Sequence, residues 1–70
     1  MMTMNEIKKA IVKAFEEEYG FAPAMNKIIP MESSGCGNKL DWMAFTVGRI
    51  GYTFSKKDGL DRNDAYDREI

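Results

Sequence analysis

Asp41-Trp42-Met43-Ala44-Phe45-Thr46-Val47-Gly48-Arg49-Ile50-Gly51-Tyr52-Thr53-Phe54-Ser55 reads as two β-strands with only Gly48-Arg49 between them. Glycine at the first central position of a two-residue loop is the mark of a type II′ hairpin turn, whose twist matches that of its strands. Such a turn fixes the pairing: Val47 opposite Ile50, Phe45 opposite Tyr52, Met43 opposite Phe54. Side chains alternate along a strand, so these six share one almost wholly apolar face. The other face carries Trp42 with Ser55, Ala44 with Thr53, and Thr46 with Gly51. It is small and polar except for its one large aromatic.

The apolar face needs a cover, and the segment before the hairpin supplies one. Met4, Ile7, Ile11, Ala14 and Phe15 recur at helical spacing over residues 4–19. Thr3-Met4-Asn5-Glu6 fits a capping box, and Gly20 provides a left-handed stop that Pro23 makes final. Residues 26–33 read as a further strand. Pro30 lacks a ladder donor and marks it as an edge strand or a bulged one. Residues 33–39, rich in Ser, Gly and Asn, read as a loop. The predicted fold class is α+β, with an N-terminal helix on a three-stranded antiparallel sheet of strands 26–33, 41–47 and 50–56. Residues 58–70 read as an acidic tail or a short helix bearing Ala65, Tyr66 and Ile70. Few apolar residues anchor it, so it is expected to be dispensable for folding.

Composition narrows the function. Seventy residues make a single domain that buries only ~60% of its unfolded surface and has no room for a deep cleft. Ten basic and eleven acidic residues leave the chain nearly neutral. No continuous apolar block near the N-terminus predicts a signal peptide or membrane span. A lone cysteine, Cys36, forms no internal disulfide, which favours a reducing cytoplasmic location.

Chemistry-bearing patterns are sparse. The chain has no histidine and thus lacks the commonest general base and metal ligand. Gly35-Cys36-Gly37-Asn38-Lys39 matches neither a dinucleotide fingerprint nor a Walker loop, and a strand, not a helix, is expected after it. Asp58, Asp61, Asp64, Asp67 and Glu69 do not fit a calcium-loop spacing. The carboxylates Glu32 and Asp41 flank the loop, but no pocket of useful size can be argued around them. The expectation is a protein that is not an enzyme and uses no cofactor or metal.

The order helix, three strands, then a short helix or tail resembles the double-stranded RNA-binding domain. Phe45-Thr46-Val47-Gly48 followed by Ser55-Lys56-Lys57 looks like that family's third strand and basic helix. The resemblance implies RNA binding through a basic stripe of Lys39, Arg49, Lys56 and Lys57. Two features depart from the pattern: no Gly-Pro-x-His precedes the second strand, and Asp58-Gly59-Leu60 stands where the basic helix would begin.

The favoured expectation is a small protein-binding module, of the inhibitor or adaptor type that phages and mobile elements encode. Its partner is another protein or a second copy. The candidate site is Trp42 with Thr46 and Thr53 beside it, rimmed by Asn38 and Lys39, because tryptophan is enriched at interface hot spots. The alternative for Trp42 is cover within the monomer, by the first strand or by the C-terminal segment.

Overall fold

The computed structural model describes residues 2–68. Helix α1 spans Met4–Tyr19, and four strands follow: β1 Ile28–Cys36, β2 Lys39–Val47, β3 Ile50–Ser55 and β4 Gly59–Arg62. Single 3-10 turns lie at Met25–Lys27 and Asp64–Tyr66. The class is α+β, with one antiparallel sheet in the order β1-β2-β3-β4.

The helix forms where its caps place it. The Thr3 N–H donates to Glu6 Oε1 at 2.9 Å, and the Glu6 N–H donates to Thr3 Oγ1 at 3.2 Å, so two orphan backbone donors are satisfied reciprocally. Hydrogen bonding to Thr3 holds the Glu6 carboxyl below its ordinary pKa. At the other end Gly20 takes φ 80° and donates to the Glu16 carbonyl at 2.9 Å.

The hairpin register is the one its turn implies, from Trp42 opposite Ser55 to Val47 opposite Ile50. Gly48 has φ 65°, and no non-glycine among the described residues, Arg49 included, has positive φ, as a type II′ turn requires. Ile7, Ile11 and Phe15 pack against Met43, Phe45, Tyr52 and Phe54, with Ile28 joining from β1. Phe45 stacks on its cross-strand partner Tyr52 at 5.6 Å, and Phe15 meets Tyr52 edge-on at 4.9 Å. Ile50 lies outside this core at 43% exposed, beside the turn that closes the hairpin.

Three differences from the sequence reading share one cause, which is turn chemistry hidden inside polar stretches. The sheet has four strands, not three. Residues 33–36 are strand instead of loop, because Gly37-Asn38 is a second two-residue turn, with Gly37 at φ 64°. Residues 58–68 do not form a free tail. Gly59 at φ 78° closes a turn over Lys56-Lys57-Asp58, where Ser55 Oγ accepts the Asp58 N–H at 2.9 Å, and β4 follows at once. Beyond β4 the expected short helix appears in 3-10 form over Asp64–Tyr66, carrying Ala65 and Tyr66 and capped by Asn63 Oδ1 accepting from the Ala65 N–H at 3.0 Å. Glu69 and Ile70 lie outside the described residues.

The edge position of β1 and the irregularity at Pro30 both appear: the register shifts between Pro30 and Glu32, leaving Met31 as the extra residue. Met2 pairs with Leu40, prolonging the sheet past the end of β3.

Candidate functional site

The sheet has two unlike faces, and the one turned from α1 holds the candidate site. There β2 contributes Trp42, Ala44 and Thr46, and β3 contributes Gly51, Thr53 and Ser55. Residues 63–68 fold back across this face. Tyr66 begins over Gly51 on β3, where a Cβ on the glycine would lie 2.6 Å from the Tyr66 Cβ. Its hydroxyl ends at Glu32 on β1, donating to Oε2 at 3.0 Å. The ring therefore spans β2, and the β2 residues below it, Ala44 and Thr46, are both 0% exposed. Trp42 sits at the flank of this crossing, with its ring centroid 6.4 Å from that of Tyr66 in an edge-on arrangement.

Trp42 is consequently half-buried, covered on one side by Tyr66 and open on the other. The open side faces a hollow of about 430 Å³. Met2, Leu40 and Trp42 supply its apolar surface, and Lys56, Lys57, Asp41 and Asp58 supply charges of both signs. Asp41 is held in place by Ser34 Oγ, which donates to it at 3.1 Å. Lys56 and Lys57 reach the hollow because Ser55, the residue before them, is the cross-strand partner of Trp42.

The residues singled out in the sequence are brought together only in part. Trp42 and Thr53 share the face, and Thr53 is half-buried. Thr46 shares it too, but is closed off beneath the C-terminal segment, and its Oγ1 finds no hydrogen-bond partner among the described residues. Asn38 and Lys39 are exposed at the tip of the β1–β2 hairpin and do not line the hollow. Lys39 lies near Glu6, where its charge adds a smaller attraction to the hydrogen bonds from Thr3 that lower that carboxyl. Met2, Leu40 and Asp58 have no counterpart in the sequence expectation for this site; Lys56 and Lys57 were expected on a basic stripe, and Tyr66 in a C-terminal segment that was one alternative cover for Trp42. The register alone was enough to find Lys56 and Lys57; nothing in the sequence marks Met2.

The basic stripe implied by the RNA-binding resemblance does not run continuously. Lys39 starts β2 and Arg49 lies in the turn that ends it, so the two are separated by the length of a nine-residue strand, roughly 26 Å at ~3.3 Å per residue. A strand, β4, also occupies the place of the expected basic helix.

Cys36 is free and exposed at the end of β1. Among the described residues no group of three His, Cys, Asp or Glu side chains is placed to hold a metal ion. No helix among them is long and apolar enough to cross a membrane. No protein-family model matches the chain, and neither a curated protein nor a solved structure matches it.

Proposed function

We propose that this chain is a small, non-catalytic protein-binding module that engages its partner through the Trp42 hollow. The observation that carries the reading is Trp42 itself, braced on one side by Tyr66 and open on the other to an apolar hollow with a charged rim. A braced aromatic gives up little rotamer freedom on binding, and its remaining exposed area is available for burial. The fitting partner segment inserts an apolar side chain against Trp42 and Leu40, with a carboxylate beside it for Lys56 and Lys57. An inhibitor or adaptor working in the cytoplasm, of the kind mobile elements encode, is the biological setting this reading favours.

Capture from a lysate of the source organism tests it, with the wild-type chain beside Trp42→Ala and the double charge reversal Lys56→Glu/Lys57→Glu. The reading expects one protein partner that the wild type retains and both variants lose. The double reversal changes only exposed turn residues, so its loss of binding is not a loss of fold. Retention of nucleic acid in place of protein, with affinity falling by ~10³ or more between 50 and 200 mM salt, would favour the RNA-binding alternative.

A further inference from the structure

Residues 63–68 are held on the sheet chiefly by polar groups at its rim. Both peptide groups of Gly51 are engaged: its N–H donates to Asp67 Oδ1 at 2.7 Å, and its carbonyl accepts from the Asn63 N–H at 3.0 Å and Arg62 Nη1 at 3.1 Å. Arg62 Nη2 takes the second Asp67 oxygen at 2.8 Å. The carboxylate is thus divided between a backbone donor and a guanidinium, an arrangement that recognises carboxylates generally. One residue earlier, the Tyr66 main chain and Cβ take the space that Gly51 leaves by having no side chain, and from there the ring runs across β2 to Glu32. An aromatic slot stands directly beside a carboxylate clamp.

The face beneath is unlike a core. Ala44, Thr46, Gly51 and Thr53 are small or polar, and the fully buried Thr46 hydroxyl goes unanswered by the segment above it. Buried polar groups are ordinarily paired, so this cover is an imperfect fit to the face it occupies. The Arg62–Asp67 ion pair is itself exposed, at 43% and 37%. Exposed pairs of this kind hold weakly.

We propose that this face is a recognition site for an aromatic–acidic peptide segment of a partner protein, an aromatic residue followed directly by Asp or Glu, and that Tyr66-Asp67 occupies it as a tethered internal ligand. The inference rests on the reading of the chain as a protein-binding module, but not on the Trp42 hollow. A tethered ligand acts at an effective concentration of millimolar order, so a competing segment sees its affinity reduced by the closed fraction. A partner that also answers the Thr46 hydroxyl has the means to displace the tether.

The test uses the full chain and a capped, fluorescently labelled hexapeptide reproducing residues 63–68, read by polarisation. Tyr66→Ala/Asp67→Ala vacates slot and clamp while leaving Gly51, Arg62 and Trp42 intact. This variant is expected to bind the peptide saturably, at least ~10-fold tighter than the wild type. Replacing the peptide's Asp nearest its C-terminus by Asn, or its Tyr by Ala, should cost a further factor of ~10. Absence of saturable binding at millimolar peptide overturns the proposal, as does equal affinity for wild type and variant. Where the double variant fails to fold, Asp67→Asn alone must still bind more tightly than wild type. Failure of that variant to fold as well would make the segment a structural element and sink the idea. Lys56→Glu/Lys57→Glu should leave peptide binding unchanged, which separates the fate of this site from that of the hollow.

Discussion

The Tyr66 hydroxyl reaches Glu32, 34 residues earlier in the chain, and so fastens the C-terminal segment to the far edge strand at 3.0 Å. The ring that makes this reach is what closes Ala44 and Thr46 from water. Tyr66→Phe removes only the exposed hydrogen bond and should cost under ~1 kcal/mol. Tyr66→Ala also removes the ring and should cost ~1–3 kcal/mol in denaturant unfolding. Truncation after Arg62 should lower the melting midpoint clearly, against the expectation from composition that this segment is dispensable. Equal midpoints for truncated and full chains would show that the segment only rests on the sheet.

Gly51 is the second anchor of the same segment. A Cβ there would lie 2.5 Å from the Asn63 carbonyl oxygen and 2.6 Å from the Tyr66 Cβ. Both neighbours lie in the crossing segment, so Gly51→Ala should push it off the face and leave the hairpin intact. The expected cost is ~1–3 kcal/mol, with a shift of Trp42 emission because Tyr66 leaves its flank. An unchanged emission spectrum would place the accommodation elsewhere.

Much of the architecture was legible because single residues force it. Thr3 with Glu6, Gly20 and Gly48 each need one local geometry, and the apolar alternation around Gly48 turns that geometry into a register. The fourth strand was hidden although its signal was present. Asp58-Gly59 is a strong turn dipeptide, but Leu60 is the only apolar residue of Gly59–Arg62, too few for an alternating pattern. Gly37-Asn38 obeys the same rule as Gly48-Arg49 and was masked by the Ser- and Gly-rich stretch before it.

The makeup of the candidate face was legible up to Trp42 and no further. Alternation put Trp42, Thr46 and Thr53 on the face away from the helix. Whether that face was free depended on Tyr66, whose place is set by a glycine fifteen residues earlier and a carboxylate two strands away. Such long-range fits leave no periodic trace. Asn38 and Lys39 were adjacent to Trp42 in sequence, but the hairpin carries them to its tip.

The apolar side of the sheet makes a prediction independent of the site. Phe45 is 0% exposed and lies in the core cluster beside Ile7, Ile11 and Phe15. Phe45→Ala should cost ~3–5 kcal/mol, a large share of the stability of so small a domain. Calorimetry would show the midpoint fall by many degrees. Survival within a degree or two would mean that the helix does not bury this face.

Acid and base should release the C-terminal segment by different groups. The Asp67 carboxyl is held below its ordinary value, first by Arg62 and then by the Gly51 N–H. A carboxyl depressed in the folded state contributes stability that is complete above its unfolded value of about 3.9 and lost as pH falls through the lower folded value. Tyr66 is shifted the other way: donating to Glu32 holds its hydroxyl above the ordinary tyrosine value. Its contribution is complete below about pH 10 and disappears as pH rises through the folded value. Between those limits the segment should stay closed. The chain has one tryptophan, and it touches Tyr66, so Trp42 emission reports the release directly. Glu6 is also depressed and weakens the helix cap in acid, so the wild-type titration alone mixes two events. Asp67→Asn separates them: it should abolish the acid-side change in Trp42 emission while the far-ultraviolet helix signal still titrates. Identical acid profiles for Trp42 in wild type and Asp67→Asn would show that the carboxylate does not hold the segment down.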